Sequence, residues 1–402
     1  MTTTETAGNR GEGIRSDCFV SLTSDSGEGN AVIVNSKVKS MYGDSIAALG
    51  RDMLTFFGIE HTKLEIDDRG AVPFIIAARV EAAIKKYIKT DKEYLFTMLP
   101  QNDYSTSGNA DRVTRLYLPG NNPKLMINAG IYGSHGIILD LEDSVAPDRK
   151  FEARFLVRNA LRSVDFYGAE RMVRINPLPA GLEDLKFCVP HRVNLILIPK
   201  CEQAIQVVQT EVKISEILGR KNDSIHLMPI IESAAGVMNA YEIARASENV
   251  VAIAIGLEDY TTDIGAQRTP EGKESLFARC MVVNAARAAG IQPIDSVFSD
   301  IDDVEALVSA VQESKALGFS GMGCIHPRQV SIINENFLPG EVETNKAKRI
   351  VLAFEKAEKE GLGVVALESK MIDPPVVKRA LKTIERAVNA GILTKDWRTA
   401  YE

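Results

Sequence analysis

The 402-residue sequence predicts an α/β protein in which a closed (β/α)8 TIM barrel follows a small α/β domain and precedes a helical C-terminal segment. Short apolar runs recur through the middle of the chain, and most gaps between them have room for a helix. Eight such units within about 220 residues favour a closed barrel over an open doubly wound sheet. The apolar fraction of 45% and the charged fraction of 25% are those of an ordinary globular protein.

Residues 1–90 are predicted to form the small α/β domain. The segment 41–57 carries apolar residues on one helical face and ends before Gly58, and 80–88 is also predicted to be helical. Strands are predicted between turn-rich stretches, at 18–22, 30–34, 63–67 and 73–77. A polar linker, 91–111, leads to the next domain.

The barrel is assigned to residues 112–340. Several of its predicted strands are near-continuous apolar runs, which is typical of parallel strands covered on both faces. The eight strands are predicted at 113–118, 136–141, 171–175, 193–198, 225–231, 250–255, 292–297 and 320–325. The remaining residues, 341–402, are predicted to be helical and amphipathic except around 372–375, and to pack on the barrel.

Charge and cysteine content exclude several classes of protein. With 47 basic and 54 acidic residues, the chain lacks the basic field that nucleic acid or an anionic membrane surface requires. Five scattered cysteines give neither a disulfide framework nor zinc-ligand spacing, which fits a reducing compartment. The polar N-terminus is unlike a signal peptide, and no apolar stretch is long enough to cross a bilayer. We therefore expect a cytoplasmic protein.

Carboxylates follow three of the predicted barrel strands. Asp140, Glu142 and Asp143 follow the second strand, Glu232 the fifth, and Asp259 the sixth. The carboxyl ends of barrel strands form one face, and converging buried carboxylates need a cation. Mg²⁺ usually takes one or two carboxylates, so Glu232 and Asp259 are predicted ligands and the strand-2 acids are predicted to hold its waters. Helix capping or pairing with arginines is the alternative role for these acids.

Basic and polar side chains follow other strands. Arg174 is placed to bind a substrate carboxylate in a bidentate manner, and a structural salt bridge to Glu142 or Asp143 is its alternative role. Lys200 and Arg115 are isolated cations with a structural or phosphate-contacting role, and His326 is a lone histidine before a proline. Asn121 follows the first strand.

Seven motifs in order give the sequence a resemblance to the citrate lyase beta-subunit family (HpcH/HpaI aldolase-like), which includes malyl-CoA and citramalyl-CoA lyases. They span 112–339 and are 115–123 (RLYLPGNNP), 136–147 (GIILDLEDSVAP), 173–177 (VRINP), 197–200 (LIPK), 230–236 (IIESAAG), 256–265 (GLEDYTTDIG) and 324–327 (CIHP). The resemblance implies a Mg²⁺-dependent (β/α)8 barrel that cleaves the carbon–carbon bond of 3-hydroxyacyl thioesters.

The resemblance also implies roles for individual residues. Glu232 and Asp259 correspond to the metal ligands, Arg174 to the clamp on the substrate carboxylate, and Glu142 with Asp143 to the acidic pair that orients metal waters. Substrate contacts are expected from Arg174, Arg115, Lys200, Asn121 and His326. The segment 370–377 (KMIDPPVV) resembles the family's C-terminal lid, in which an aspartate, here Asp373, reaches the active site of a neighbouring subunit. A homo-oligomer, trimer or hexamer, with exchanged lids is therefore expected.

The N-terminal domain resembles the citrate lyase acyl carrier protein, the gamma subunit, over 34–47 (VNSKVKSMYGDSIA) and 67–83 (DDRGAVPFIIAARVEAA). That family attaches a CoA-derived prosthetic group to a serine before its first strand. Arg15 occupies the corresponding position, and Ser16 matches only after a shift of one residue. We therefore expect no covalent group at Ser16, and a packing or oligomerisation role for the domain.

These features predict a Mg²⁺-dependent lyase that converts a citramalyl-, malyl- or citryl-type CoA thioester into a 2-oxoacid and an acyl-CoA. Without a prosthetic serine, free CoA thioesters are the expected substrates. Two alternatives remain: a thioesterase acting on the same esters, and a fused carrier and lyase subunit of a citrate lyase complex.

Overall fold

A computed structural model describes residues 3–24, 27–367 and 370–398. The chain begins with a four-stranded sheet in the order β1-β2-β4-β3, in which β3 and β4 are parallel and the other pairs are antiparallel. Its strands are β1 (Thr4–Gly8), β2 (Cys18–Ser24), β3 (Ala31–Ser36) and β4 (Thr62–Asp68). In β4 every second side chain is buried, as alternation predicts for a sheet with one covered face.

Two helices cover this sheet, α1 (Lys39–Phe57) and α2 (Pro73–Tyr87). Helix α1 ends at Gly58, which has a φ of 71° and closes the helix in the left-handed conformation that glycine permits. The prediction of a strand at 73–77 is wrong, because Pro73 opens α2 at a position where proline is favoured. Every residue from Phe74 to Ile84 is buried. Because this run is buried on every side, its sequence shows no helical periodicity. The hydrophobic pattern alone therefore could not distinguish a helix from a strand.

Strand β1 was not predicted. Its sequence is rich in Thr and Gly, which does not resemble an apolar strand, but it pairs along its whole length with β2. It lies at the edge of the sheet, where pairing with one neighbour is sufficient.

The linker between the two domains is packed against the barrel. It contains one short 3-10 turn, Pro100–Asn102, and Asn102 is buried. The Asn102 side chain donates hydrogen bonds to the carbonyls of Leu161 (3.2 Å) and Val164 (2.7 Å). These bonds fix the polar segment to the barrel surface.

The predicted closed barrel of eight parallel strands is confirmed. The strands pair in sequence order and the last pairs with the first. They are β5 (Thr114–Pro119), β6 (Gly136–Asp140), β7 (Glu170–Arg174), β8 (Leu195–Ile198), β9 (His226–Ile231), β10 (Ala252–Ile255), β11 (Gln292–Asp295) and β12 (Gly321–Cys324). Each predicted strand overlaps its observed strand, and no end differs by more than two residues.

Helices surround the barrel, and apolar side chains fill its interior. The inner core includes Ile138, Met172, Leu197, Met228 and Ile230. The helices are α3 (Pro123–Met126), α4 (Lys150–Ser163), α5 (Gly181–Asp184), α6 (Ala204–Leu218), α7 (Ala234–Met238), α8 (Ala240–Ala244), α9 (Leu257–Asp263), α10 (Lys273–Ala288), α11 (Val304–Leu317) and α12 (Arg328–Phe337). The interior is thus a packed core that opens only at its ends.

The C-terminal segment forms a helical pair with its own small core. Helices α13 (Glu341–Lys359) and α14 (Pro374–Asn389) pack against each other around Val351, Ile372 and Trp397. The prediction of continuous helix before 372 is corrected by a two-stranded hairpin, β13 (Val365–Leu367) with β14 (Lys370–Ile372). Among the residues described, no helix combines the length and apolarity that crossing a membrane would need.

Candidate functional site

The carboxyl ends of the barrel strands surround a cavity of about 420 Å³. Its lining combines acidic, basic and apolar side chains. Charged residues that line it are Arg115, Asp140, Asp143, Arg174, Glu232, Glu258, Asp259 and Asp295. The acidic groups outnumber the basic ones, so the cavity is suited to bind a cation together with an anionic ligand.

An arginine and an aspartate from adjacent strands form the most extensive ion pair in the cavity. Arg174, at the end of β7, donates from Nε to Asp140 Oδ1 (2.6 Å) and from Nη2 to Asp140 Oδ2 (2.8 Å). Burial alone would raise the pKa of Asp140, but the bonds from Arg174 and Ser144 bring it below the ordinary value. Burial likewise opposes the charge of Arg174, and Asp140 nevertheless raises the pKa of the guanidinium. Each member of this pair therefore stabilises the charge of the other.

The third nitrogen of Arg174 points at the other strand-2 acids. Its Nη1 lies 2.8 Å from Glu142 Oε2 and 3.6 Å from Asp143 Oδ2. The guanidinium also lies 5.2 Å from the ring centroid of Tyr117, a cation–π distance. The structure therefore shows the salt-bridged arrangement of Arg174, with Asp140 rather than Glu142 as the bidentate partner.

Lys200, which follows β8, connects four acids that follow three other strands. Its Nζ lies 2.6 Å from Glu142 Oε1, 3.4 Å from Asp143 Oδ1 and 3.8 Å from Asp259 Oδ2. Its backbone N–H donates to Glu232 Oε2 at 3.0 Å. Lys200 has a φ of 48°, in the left-handed region that costs a non-glycine residue about 1 kcal/mol. The fold thus holds this lysine in an unfavoured conformation that brings its backbone to one acid and its side chain to three others.

Glu232 is the most deeply placed carboxyl of the predicted metal ligands. Its side chain is almost fully buried at the end of β9. Burial and the nearby charges of Glu142 and Asp259 raise its pKa to about 8. Gly256 lies directly beside it, and a Cβ at this position would be 2.6 Å from Glu232 Cγ and 2.8 Å from Oε1. Only glycine leaves room for the carboxylate in this orientation.

The donor set fits a hard divalent cation. Glu232 and Asp259 supply carboxylate oxygens, the ligand type and number that Mg²⁺ usually takes from a protein. The raised pKa of Glu232 indicates a negative charge that its protein neighbours do not compensate. Within 3–24, 27–367 and 370–398, no group of three or more His, Cys, Asp and Glu side chains is arranged around one metal position. Water and substrate oxygens would therefore complete the coordination of a bound ion.

Arg115 lies at the floor of the cavity in the barrel interior. It is almost completely buried, its Nη1 lies 3.3 Å from Met228 Sδ, and its Nε has no hydrogen-bond partner. Burial lowers the pKa of its guanidinium. A buried cation with an unused donor at this depth suits an anionic group of a ligand.

Five predicted site residues are not among those that line the cavity. Two of them, Glu142 and Lys200, lie beside it and contact the lining residues Arg174 and Asp259. The other three are Asn121, His326 and Asp373. Asn121 is directed towards the N-terminal domain, and its Oδ1 accepts a bond from Arg79. His326 accepts a hydrogen bond from the backbone N–H of Arg328 at its Nδ1. Asp373 caps α14, where its Oδ1 accepts from Val376 N at 3.1 Å.

Sequence reasoning missed the roles of Tyr117 and Ser296. Tyr117 lines the cavity beside Arg174, and burial raises the pKa of its phenol. Ser296 lies at the end of β11 and its Oγ accepts from Leu257 N. The position of Tyr117 in the cavity could have been predicted, because it lies two residues after Arg115 in the same strand and alternate residues of a strand share one face.

Family profiles match both domains of the chain. A profile of the family described as HpcH/HpaI aldolase/citrate lyase matches residues 114–327, over half of the chain. A profile described as malonate decarboxylase delta subunit, within an acyl carrier protein family, matches residues 6–87.

Individual relatives cover most of the chain after the N-terminal domain. Citrate lyase subunit beta of Leuconostoc mesenteroides subsp. cremoris is 41% identical over 281 residues, which are 69% of this chain and 93% of that protein. Mitochondrial citramalyl-CoA lyase of Homo sapiens is 31% identical over 315 residues, and the match covers 74% of this chain and 93% of that protein. Among solved structures, the fold is similar to that of protein CitE from Mycobacterium tuberculosis, crystallised with magnesium, acetoacetate and coenzyme A. The TM-score is 0.59 and the sequence identity 29%, and the match covers 69% of this chain and 98% of that chain.

Proposed function

Because the chain belongs to the HpcH/HpaI aldolase/citrate lyase family, it is a lyase, and we propose that it cleaves a 3-hydroxyacyl-CoA thioester in a Mg²⁺-dependent reaction. The observation that carries this proposal is the convergence of Glu232, Asp259 and Arg174 on one cavity at the barrel mouth. These groups supply a site for a divalent cation beside a site for a carboxylate. The structure of a relative that contains magnesium, acetoacetate and coenzyme A supports a CoA thioester as the ligand.

The reaction breaks one carbon–carbon bond without an outside oxidant. The substrate hydroxyl loses its proton to a base, and its oxygen becomes the carbonyl of a 2-oxoacid. The electron pair of the broken bond moves to the α-carbon of the thioester, and the enolate then takes up a proton to become an acyl-CoA. Magnesium held by Glu232 and Asp259 would supply Lewis acidity for the head-group oxygens.

The chain's own residues orient the head group and move the proton. Arg174 lines the cavity and its Nη1 lies 2.8 Å from Glu142 Oε2, so a substrate carboxylate would compete with Glu142 for this nitrogen. Glu142 is a candidate to relay the hydroxyl proton, because burial raises its pKa despite the opposing effects of Arg174 and Lys200. Asp373 of a neighbouring subunit is the alternative base.

Product analysis tests the proposed reaction against its alternatives. Citramalyl-, malyl- and citryl-CoA are incubated with the protein and Mg²⁺, and 2-oxoacid and free CoA are both measured. We expect a 2-oxoacid in stoichiometric amount with acyl-CoA and no free CoA. Free CoA with an intact hydroxy acid identifies a thioesterase and contradicts the lyase proposal.

We also propose that the N-terminal domain bears no prosthetic group. Arg15 is exposed, and Ser16 has a φ of 55° with its backbone N–H bonded to Arg69 O. Intact mass spectrometry of the purified protein tests this. A mass equal to that of the unmodified chain is expected, and a phosphopantetheine-type adduct near Ser16 would instead support a carrier subunit.

The Asp373 role requires a second copy of the chain. The far end of α14, at Arg386 and Asn389, lines a cleft with Asp111 and His135, which precede the first barrel strands. Helix α14 therefore reaches the barrel end opposite the catalytic mouth, and Asp373 does not line the mouth of its own chain. We propose a homo-oligomer in which this segment closes a neighbour's site.

Complementation between two inactive variants tests the exchanged lid. Asp373→Asn keeps a side chain that can cap α14. Chains with Asp373→Asn and chains with Glu232→Gln, refolded together, should regain activity that neither has alone. Full activity of Asp373→Asn by itself would reject the role, as would no recovery in verified mixed oligomers.

The pKa of Glu232 predicts how Mg²⁺ affinity depends on pH. Below about pH 8 this carboxyl carries a proton, which the cation must displace. The apparent affinity should therefore fall about tenfold for each pH unit below this pKa and become level above it. Calorimetric titration between about pH 6 and about pH 9 measures this. A constant affinity across that range would contradict the assignment of Glu232 as a ligand.

Gly256→Ala is expected to weaken Mg²⁺ binding. The added Cβ would contact Glu232 at 2.6 Å, and the carboxylate would have to move. We expect at least about a tenfold loss of affinity, a cost of about 1.4 kcal/mol. Gly256 has a φ of −109°, which alanine adopts freely, so the melting temperature should change little. Unchanged affinity would show that the carboxylate tolerates displacement.

A further inference from the structure

The N-terminal domain docks on the barrel close to the catalytic mouth. Helix α2 packs along α4, which follows the strand that carries Asp140. Backbone groups join the two domains as well: Gly8 N–H donates to Glu152 Oε2 at 2.9 Å, and Arg149 donates to Gly8 O at 3.1 Å. Glu152 lies in the first turn of α4, so this contact is at the carboxyl end of the barrel.

Arg79 of α2 lies at the centre of this contact. It is fully buried, and its Nε and Nη2 donate to the two oxygens of Asp17 at 3.0 and 2.9 Å. Its Nη1 lies 3.6 Å from Glu152 of the barrel. Burial opposes its charge, but Asp17 and Glu152 raise its pKa, so the guanidinium is held charged between the two domains.

The same guanidinium reaches the loop that follows the first barrel strand. Nη2 lies 3.3 Å from the backbone oxygen of Asn121 and 3.2 Å from its Oδ1. This is the loop of the PGNNP motif, and Pro119 at its start lines the catalytic cavity.

The loop is in turn fixed to the catalytic ion pair. Gly120 N–H donates to the backbone oxygen of Asp140 at 2.7 Å, and a Cβ on Gly120 would lie 2.5 Å from that oxygen. Asp140 is the bidentate partner of Arg174. A short chain of contacts therefore runs from Arg79 through Asn121 and Gly120 to Asp140 and Arg174.

We propose that Arg79 is a positioning residue through which the N-terminal domain holds the loop 119–122 in its catalytic conformation. In this arrangement the domain is a fixed part of the active-site support rather than a mobile carrier. That the loop conformation matters for catalysis rests on the proposed lyase function. The contacts that hold the loop do not depend on the reaction.

A second ion-pair network explains why the domain stays docked. Arg158 of α4 is fully buried and donates to both oxygens of Glu81 at 3.0 and 2.6 Å, and to Glu93 of the linker at 2.9 Å. Undocking would leave this arginine without its buried partners, which is strongly unfavourable. Arg158 contacts neither Asn121 nor the cavity-lining residues in these bonds, and it provides a matched control for Arg79.

The first experiment compares Arg79→Lys with Arg158→Lys by hydrogen–deuterium exchange. Lysine keeps the charge but cannot bind Asp17 as a fork and also reach Asn121. We expect both variants to lower the melting temperature. Faster exchange of the Gly120 and Asn122 amides is expected in Arg79→Lys alone. Equal exchange of this loop in the two variants overturns the proposal.

The second experiment measures kinetics on the same proteins. Arg79→Lys should lose about tenfold in kcat/KM through the lost charge-assisted bonds, while Arg158→Lys stays within about twofold of wild type. In a double-mutant cycle with Asn121→Ala, the Arg79→Lys effect should shrink, because both changes release the same loop. Strict additivity, or equal kinetic losses in both arginine variants, counts against the proposal.

The test can be read even if Arg79→Lys does not fold or the wild-type protein is inactive. If Arg79→Lys does not fold, Asp17→Asn is used instead. This change removes the negative charge that binds Arg79 and keeps the shape of the side chain. If the wild-type protein has no lyase activity, the proposed function fails, while the exchange data still decide whether Arg79 orders the loop.

Discussion

A Glu232→Gln variant should bind Mg²⁺ too weakly to detect and turn over substrate about a thousandfold more slowly than wild type. The amide keeps the shape of the side chain but removes the charge that a hard cation requires. Loss of the cation forfeits several kcal/mol of charge stabilisation in the transition state, and about 4 kcal/mol corresponds to this factor. Because the carboxyl is buried and largely protonated near neutral pH, the variant should be at least as stable as the wild type in the absence of metal.

Calorimetry for Mg²⁺, steady-state kinetics and thermal melting together test this prediction. Glu170→Gln is the matched control, because Glu170 is another buried strand glutamate, bound by Arg112 at 2.7 Å at the amino end of the barrel. The control should lose stability and keep its Mg²⁺ affinity. Asp259→Asn should reproduce the metal defect. If Glu232→Gln and Asp259→Asn both bind Mg²⁺ normally, the metal site has been placed wrongly.

Arg174→Lys is expected to lose over a hundredfold in kcat/KM, about 3 kcal/mol. Lysine cannot replace a guanidinium that binds Asp140 through two nitrogens and lies against Glu142 with the third. Asp140, Glu142 and Asp143 would then repel one another with less compensation, and the cavity would lose its shape as well as its carboxylate donor.

A neighbouring arginine gives the matched control for Arg174. Arg154 of α4 pairs with the buried Asp184 at 2.7 Å, outside the cavity lining. Arg154→Lys should therefore lower the melting temperature and leave kcat/KM within about twofold. The prediction for Arg174 is contradicted if the two variants lose activity to a similar extent.

The repeated apolar runs were sufficient to predict the barrel. A parallel strand covered on both faces must be apolar along its length, and eight such strands separated by helices have few ways to pack. Helix α2 shows the limit of this reasoning. Its burial on all sides removes the polar face that would mark it as a helix, and only the neighbouring domain accounts for that burial.

The site shows the same division. Because active sites of such barrels lie at the carboxyl ends of strands, Asp140, Glu142, Glu232 and Asp259 could be grouped from position alone. Which of these acids pairs with which basic side chain could not be predicted from position. That Asp140 holds Arg174, and that Lys200 takes a left-handed backbone to reach Glu142 and Glu232, follows from distances across strands.

The sequence alone determined which chemical groups stand at the ends of the barrel strands, because the period of a strand and the direction of a parallel barrel depend on local order along the chain. Only the tertiary structure decided which charges neutralise one another and which domain supports which loop. Asp17, Arg79 and Asn121 are far apart along the chain, and they meet because burying α2 against α4 brings their polar groups out of water together. Each of those groups then needs a partner, and the partner is whichever group the packing places within reach.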